Sequence, residues 1–328
     1  MRLKLCILCV AVGIGFHGQS IATENVRMVL QWEHQSQFAG YYMALDKGFY
    51  QDENLDVTLL SGGPDVNPLQ LVQDGQVDFC STMLATVLQA RLNGQTHSVL
   101  LSQIINRSNL ALVAWKHGRD GTATIENPAD LNWRKVTIWG LFDPPYHCFF
   151  SRHGIDAEII PQYYTFSLFL HKGVDACSAM LYNEVHTINQ CHILDDELTV
   201  FDFYKLGVNF PEDGIYCTQD TWKTRPAFCS AFTRASMKGW EYAQHHPEEA
   251  LDVVMKRIDE AKLPTNRAHM KWMLDTILAS VFPPNETEWI PGILSKSGYD
   301  EAVSIMGMEE QAAAYSDFVT QGAQNGLD

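Results

Sequence analysis

The 328-residue chain has few basic residues for its size, with 23 lysines and arginines against 39 aspartates and glutamates. The formal net charge of −16 argues against nucleic acids and anionic membrane surfaces as partners, because both need a basic face on the protein. It does not fix the sign of a small ligand, since the local field of a pocket can differ from that of the whole surface.

The short motifs of common catalytic sites are missing. The sequence contains no GxSxG, no HExxH, no P-loop and no dinucleotide-binding fingerprint. The six cysteines after residue 22 show no CxxC or zinc-type spacing, so we expect no metal site. Cys217 and Cys229 are close enough along the chain for a disulfide, which would stabilise the fold by up to ~3 kcal/mol.

No apolar run is as long as the ~20 residues that a membrane-spanning helix needs. The N-terminal run from Leu5 to Phe16 follows Arg2 and Lys4, and it precedes a small–x–small pattern that ends at Ala22. This order is typical of a secretory signal peptide. The sequence therefore predicts a leader over residues 1–22 and an exported, periplasmic protein, which we expect to be a monomer.

The stretch from Val26 to Tyr50 organises the rest of the chain. Residues 26–32 are apolar and favour a buried strand, and residues 33–37 are polar. A helical spacing of apolar residues follows and ends at Gly48, a typical helix stop. The helix is carried by Phe38, Tyr41, Tyr42 and Leu45.

This strand–loop–helix unit predicts a ligand site at the carboxyl end of the strand. Open α/β sheets bind ligands at such ends, where the N–H groups of helix termini point into a crevice. Trp32 and His34 lie at the lip, and Phe38 and Tyr41 follow them on the helix. Trp32 and Phe38 are equally consistent with core positions, so both interpretations stay open here.

The same stretch resembles the extracytoplasmic substrate-binding proteins of the nitrate, sulfonate and thiamine-pyrimidine-precursor type. That family also includes the fungal thiamine pyrimidine synthases. The resemblance covers most of the chain after residue 22 and depends mainly on the order of its motifs. These are Trp32, Ala39-Gly40-Tyr41, Lys47-Gly48-Phe49, Leu55-Asp56-Val57 and Gly75-Gln76-Val77-Asp78.

Strand-like and helix-like segments alternate along the chain, which favours parallel pairing. The polar segment 116–130 contains Gly118, Gly121 and Pro128 and is interpreted as a crossing between domains. With the resemblance, this predicts a two-lobed α/β periplasmic-binding-protein fold of type II, with mainly parallel sheets and a helical C-terminal part. Lobe one is assigned to residues 23–116 and 218–328, and lobe two to residues 117–217.

Further candidate contacts follow predicted strands of lobe one. Gly62, Gly63 and Asp65 come after the strand Leu55–Leu60. Ser81 and Thr82 follow the strand predicted at 77–80 and are assigned to the start of a helix, where hydroxyls hold a polar ligand group or simply cap the helix.

Lobe two contributes a second set of candidates. Tyr182, Asn183 and Glu184 follow the strand predicted at 174–180, and Glu184 is suited to bind an amino group because a carboxylate accepts two hydrogen bonds. Glu184 is also suited to a solvated first-turn position. Trp139 ends another predicted strand, and Asp213 lies near the second crossing, as a ligand contact or a turn residue.

The resemblance implies a solute-binding protein of an ABC importer, which takes a thiamine pyrimidine precursor or another small heterocycle and delivers it to a membrane permease. The alternatives are a sulfonate- or nitrate-type ligand, a partner of a membrane sensor, or a synthase that uses pyridoxal phosphate and iron. In the synthases a lysine and a histidine carry the chemistry, and these positions fall on Thr82 and Thr86. A threonine forms no Schiff base, so we expect no cofactor.

Overall fold

The computed structural model describes residues 22–191, 193, 195–284 and 289–320. The predicted leader therefore lies, apart from Ala22, outside the described residues. Among the described helices, none is both long and apolar enough to span a bilayer. The strands are β1 (Glu24–Val29), β2 (Leu55–Leu60), β3 (Phe79–Thr82), β4 (Ser98–Ser102), β5 (Leu110–Trp115), β6 (Lys135–Trp139), β7 (Glu158–Gln162), β8 (Ala176–Met180), β9 (Leu198–Asp202) and β10 (Gly214–Thr218).

The three longest of the described α-helices follow the last strand. They are α1 (Ala39–Asp46), α2 (Phe49–Asp52), α3 (Pro68–Gln73), α4 (Leu84–Leu92), α5 (Pro144–His153), α6 (Ser167–Leu170), α7 (Glu184–Gln190), α8 (Gln219–Thr224), α9 (Pro226–His245), α10 (Pro247–Ala261), α11 (Arg267–Val281), α12 (Lys296–Ile305) and α13 (Tyr315–Phe318).

The strands form two five-stranded sheets with equivalent topologies. Their orders are β2-β1-β3-β10-β4 and β7-β6-β8-β5-β9. In each sheet the first three strands pair in parallel, and the fourth, β10 or β5, runs antiparallel to both of its neighbours. We call the first sheet with the helices packed on it lobe one, and the second lobe two. Strands β3, β4, β5 and β8 are buried along their whole lengths, as expected for strands covered on both faces.

One backbone clasp recurs in both lobes. The N–H of Asp78 donates to the carbonyl of Arg27 at 2.8 Å, and its carboxylate accepts from the N–H of Arg27 at 2.9 Å. Asp175 makes the same pair of bonds with Lys135, at 2.8 and 3.0 Å. Each aspartate thereby fixes the start of one strand against its parallel neighbour, so Asp78 and Asp175 occupy equivalent positions in the two lobes.

The chain crosses between the lobes at residues 103–109 and 203–213. The two crossings pair through Ile105 and Glu212, whose backbones exchange hydrogen bonds of 3.1 and 2.8 Å. The polar segment 116–130 was expected to be a crossing, but it follows β5 within lobe two. The predicted boundaries placed β5 in lobe one and most of β10 in lobe two. In the structure β5 belongs to the lobe-two sheet and β10 to the lobe-one sheet.

The long C-terminal helices pack back on lobe one. Helix α9 lies against α1 so closely that a Cβ on Gly239 would be 2.1 Å from the carbonyl oxygen of Gly40. A Cβ on Gly40 would in turn lie 2.2 Å from the buried ring of Trp240. Only glycine allows this approach of the two helix backbones. The helical C-terminal part that the resemblance implied is thus an integral part of the lobe-one core.

The disulfide expected between Cys217 and Cys229 is not formed. Both residues are buried free thiols, and their Sγ atoms are 4.0 Å apart. That separation is a van der Waals contact, about twice the ~2.05 Å length of a disulfide bond.

Candidate functional site

A cavity lies between the lobes, where β1, β3, β6 and β8 end. Its position agrees with the general rule that α/β sheets bind ligands beyond the carboxyl ends of their strands. The cavity is lined by Gln31, Trp32, Gln35, Gln37, Met83, Trp139, Phe142, Met180, Tyr182, Asn183 and Glu184.

An aromatic cluster forms one side of this cavity. The half-buried ring of Trp32, from lobe one, lies 6.4 Å from Trp139, 6.2 Å from Phe142 and 6.0 Å from Tyr164 between ring centroids. The Nε1–H of Trp139 donates to the carbonyl of Tyr163 at 3.1 Å and so holds the segment that carries Tyr164. These rings offer apolar faces to a flat ligand.

Glu184 provides a carboxyl group in the same cavity. It is only 7% exposed. Its Oε2 accepts from the N–H of Met180 at 2.9 Å, and its Oε1 accepts from the Nδ2–H of Asn183 at 2.8 Å. Burial raises the pKa of Glu184 to about 7, although the backbone N–H of Met180 counteracts the shift. The carboxyl group therefore changes its charge near neutral pH, where a ligand amino group would favour the ionised form.

The lobe-one side presents amides, with an acid behind them. The Nε2–H groups of Gln31 and Gln37 both donate to the carboxylate of Asp213, which has no exposed surface. Burial raises the pKa of Asp213 to about 7, and the two amides oppose the shift. The backbone of Asp213 lies in the left-handed region at φ +57°, a conformation that aspartate and asparagine tolerate better than most residues.

Glu212, the residue before Asp213, faces the crossings rather than the cavity. Its carboxylate accepts from the backbone N–H of Asn109 at 2.6 Å and from the Nδ2–H of the same residue at 3.1 Å. Burial and the neighbouring carboxylate of Asp213 raise the pKa of Glu212 to about 8. Two adjacent buried acids therefore sit where the chain returns to lobe one.

Five of the predicted ligand contacts line the cavity together: Trp32, Trp139, Tyr182, Asn183 and Glu184. Asp213 contacts it only through the two glutamines. The role of these residues in ligand binding stays a prediction, but Trp32 from lobe one and Glu184 from lobe two line the same cavity.

The remaining residues of the first helix unit lie elsewhere. His34 is bonded to the hydroxyl of Tyr42 at 3.0 Å and lines a separate groove on lobe one, beside Arg257 and Glu260. Phe38 is fully buried, as the core interpretation requires. The ring of Tyr41 is also buried, 5.8 Å from that of Trp240. The helical spacing of these residues thus reflects packing inside lobe one.

The glycine turn after β2 is hydrogen-bonded to the backbone of Trp32, but Gly62 and Gly63 do not line the cavity. The N–H of Gly62 donates to the carbonyl of Trp32 at 3.0 Å, and a Cβ there would lie 2.1 Å from the carbonyl oxygen of Leu30. Gly63, at φ +145°, passes close to the hydroxyl of Tyr164. Asp65 is exposed and lines none of the described cavities.

Ser81 and Thr82 are strand residues and not helix caps, because β3 continues through both and α4 begins only at Leu84. The Oγ of Ser81 accepts from the backbone N–H of Gln31 at 3.0 Å and so ties β3 to the end of β1. Thr82 lines a second cavity, of about 290 Å³, together with Thr86. The helix-start prediction was wrong because β3 begins two residues later than the apolar pattern indicated.

Several cavity residues were not among the sequence candidates. Gln31 directly precedes Trp32, and Gln35 and Gln37 lie in the polar loop after it, so proximity to that residue was the available signal. Nothing in their local sequence distinguishes the other three, which are Met83, Phe142 and Met180.

The residues present do not fit pyridoxal phosphate. Among the described residues that line either cavity there is no lysine for a Schiff base, and the two synthase positions are threonines. Within the same described part of the chain, no group of three or more histidine, cysteine or acidic side chains could hold a metal ion.

The charge of the lining indicates which ligands the first cavity accepts. None of the described residues that line it is a lysine or an arginine, whereas Glu184 is acidic. An anion would be desolvated there without a cationic partner, which is costly. The geometry favours a flat, neutral or cationic group with a hydrogen-bond donor directed at Glu184.

Comparison with known proteins supplies a family and a fold. A family model described as NMT1/THI5-like matches residues 35–250. The formylaminopyrimidine-binding protein of Halalkalibacterium halodurans is 24% identical over 272 residues, which cover 80% of this chain and 80% of that protein.

Solved structures agree in architecture. A Bordetella bronchiseptica protein superposes with a TM-score of 0.67 at 18% identity and covers 87% of this chain and 89% of its own. The periplasmic aliphatic sulphonate binding protein SsuA of Escherichia coli gives a TM-score of 0.63 at 14% identity, over 87% and 86% of the two chains. These likenesses confirm the predicted two-lobed periplasmic-binding-protein fold.

Proposed function

Because this chain belongs to the NMT1/THI5-like family, we propose that it is the periplasmic solute-binding protein of an ABC importer. In this proposal the cavity between the lobes holds a small nitrogen heterocycle of the thiamine-pyrimidine-precursor class. The lobes deliver it to a membrane permease by hinge bending at the two paired crossings.

One observation carries the choice of ligand: an aromatic cluster and a buried carboxyl group share a cavity whose described lining includes no basic residue. The rings of Trp32 and Trp139 would contact the faces of a heterocycle, while Glu184 accepts a hydrogen bond from its amino group. The name of the Halalkalibacterium relative, a formylaminopyrimidine-binding protein, supports the same class. A sulfonate, the ligand in the name of the E. coli neighbour, would meet an acid instead of a cation.

A thermal-shift series tests the proposal directly. The purified chain is melted with 4-amino-5-hydroxymethyl-2-methylpyrimidine, with an alkanesulfonate and with nitrate, each at millimolar concentration. A ligand that binds only the folded state at a hundred times its Kd stabilises it by about 2.7 kcal/mol, so the aminopyrimidine should raise the melting temperature. A shift with the sulfonate or nitrate and none with the aminopyrimidine would overturn the proposal.

A further inference from the structure

Asn183 is bonded to both lobes at once. Its Oδ1 lies 2.9 Å from the Nε2 of His269, on α11 of lobe one, and its Nδ2 donates to the Oε1 of Glu184 at 2.8 Å. The carboxamide therefore connects the ligand-facing acid of lobe two to a histidine of the opposite lobe.

The directions of these bonds follow from the groups involved. An ionised Glu184 only accepts, so the NH₂ group of Asn183 faces it and the amide oxygen faces His269. His269 must then donate from Nε2, which leaves its Nδ1 as an acceptor. The Nδ1 of His186 lies 2.8 Å from the Nδ1 of His269 and donates its N–H to it. Burial and the adjacent His186 lower the pKa of His269 to about 4, which agrees with a neutral ring.

The chain of hydrogen bonds thus has one direction, from His186 through His269 and Asn183 to Glu184. Protonation of either ring leaves the N–H on Nε2 of His269 in place, so the bond to Asn183 does not depend on the charge of the histidine pair. When both rings are charged, the bond that is lost is the one between the two Nδ1 atoms, because both then donate.

His269 is held firmly in place on the lobe-one side. Its backbone N–H donates to the side chain of the N-cap Asn266 at 2.9 Å. The carbonyl of Met270, next in the helix, accepts from the Oγ of Ser36 at 2.7 Å, which anchors α11 to the loop that follows β1. One turn further along the helix, the ring of Trp272 stacks on His186 at 4.6 Å.

We propose that His269 is a specificity-determining positioning residue, which fixes the carboxamide of Asn183 so that its second N–H faces the ligand beside the acceptor oxygens of Glu184. This inference rests on the proposed function. The site then favours a ligand that carries a hydrogen-bond donor next to an acceptor, as an amino group beside a ring nitrogen does. 4-Aminopyrimidine has this pattern, and 4-pyrimidone has its inverse.

Two substitutions separate the bonds that His269 makes. Glutamine places its amide nitrogen near the position of histidine Nε2, so His269→Gln keeps a donor for Asn183. Asparagine places its amide near the position of histidine Nδ1, so His269→Asn keeps only the hydrogen bond to His186 and loses the one to Asn183. A merely structural role of the ring would make the two variants alike.

The affinities of wild type and both variants for 4-aminopyrimidine and 4-pyrimidone are measured by calorimetry. We expect wild type and His269→Gln to prefer 4-aminopyrimidine by about tenfold, which corresponds to ~1.4 kcal/mol. In His269→Asn the preference should fall several-fold, because the carboxamide is then free to turn. Equal preferences in all three proteins would overturn the inference.

A measurement without ligand distinguishes failure of this inference from failure of the proposed function. In wild type and His269→Gln, NMR should show the two side-chain amide protons of Asn183 as a dispersed, slowly exchanging pair. In His269→Asn they should exchange faster. If neither pyrimidine binds but this contrast holds, the proposed ligand class is wrong and the positioning role stands. If the contrast is absent, the positioning role is wrong whatever binds.

Discussion

The two lobes share one scaffold and contribute opposite kinds of groups to the cavity. Each has a five-stranded sheet of equivalent topology, with an aspartate clasp at the same place. Lobe two sets the carboxyl group of Glu184 directly in the cavity lining. Lobe one instead presents the amides of Gln31 and Gln37 and keeps the carboxylate of Asp213 behind them.

The repeated architecture therefore determines where the cavity lies, but it does not determine the chemical class of ligand that the cavity accepts. The carboxyl ends of the strands bring both lobes to the same cavity, while the charge that a ligand meets depends on a few side chains after β8. Substitutions in the two lobes should therefore have different effects, on affinity in one case and on stability in the other.

The largest effect is expected at Glu184. Glu184→Gln keeps the shape but removes the charge, and it should weaken binding of an aminopyrimidine by roughly 1.5–3 kcal/mol, the range for a hydrogen bond to a charged group. Calorimetry measures the change. Glu158→Gln, an exposed position on β7 of the same lobe, serves as control. Wild-type affinity in a folded Glu184→Gln protein would show that lobe two does not supply the ligand's partner.

Trp32 tests the lobe-one contribution to the same ligand. Trp32→Ala should weaken binding by roughly 1–3 kcal/mol, the range for a heterocyclic base stacked on an aromatic side chain. It should also remove most of the quenching of intrinsic fluorescence on ligand addition. The control is Trp133→Phe in lobe two, since that ring is 77% exposed and lines none of the described cavities. Undiminished quenching in Trp32→Ala would place the ligand elsewhere.

Asp213 should affect stability through pH. Its folded-state pKa of about 7 is above that of an exposed aspartate, so the folded protein binds the proton more tightly than the unfolded chain. The stabilisation that this gives is complete below pH ~4 and is lost as the pH rises through 7. Between pH 6 and pH 8 the group should change the unfolding free energy by on the order of 1 kcal/mol.

Asp213→Asn should flatten this dependence, and asparagine tolerates the left-handed backbone there. Urea unfolding at pH 6 and pH 8 measures the slope for wild type, for the variant and for the exposed control Asp65→Asn. An unchanged slope in Asp213→Asn would mean that the buried acid stays ionised throughout.

The smallest effect is expected at Trp139. Trp139→Phe keeps an aromatic ring in lobe two but removes the donor to the carbonyl of Tyr163, which should cost about 1 kcal/mol or less in affinity. Part of the fluorescence quenching should persist, because Trp32 remains. A loss as large as that of Trp32→Ala would mean that the two lobes contribute equal aromatic contacts.

The sequence was informative where a site residue follows its strand directly. Trp32 and Glu184 follow strands by a few residues and Trp139 ends one, and α/β folds bind ligands at the carboxyl ends of their strands. Phe38 and Tyr41 show the limit of that signal, since helical spacing is the same for a residue that packs in the core.

Long-range contacts were beyond the sequence. His269 reaches Asn183 from a helix 86 residues later, and no local pattern links the two. Ser81 and Thr82 were misplaced because a shift of two residues at the end of a strand moves a side chain from a helix terminus into a sheet. The crossing expected at 116–130 was wrong for a different reason, since glycine, proline and polar residues mark surface loops of every kind.

The place of β10 has a consequence for how the protein acquires its fold. This strand lies between β3 and β4, yet the chain reaches it only after β5 to β9 are complete. Lobe two draws its sheet from one continuous segment, whereas the lobe-one sheet cannot join β4 to β3 until the chain has returned. Folded lobe two brings the ends of that long insertion together and lowers the entropic cost of inserting β10.

Lobe two should therefore fold first, and pulse-labelled hydrogen exchange during refolding should show amides of β5 and β8 protected before those of β3 and β4. Earlier protection of β3 and β4 would contradict this order.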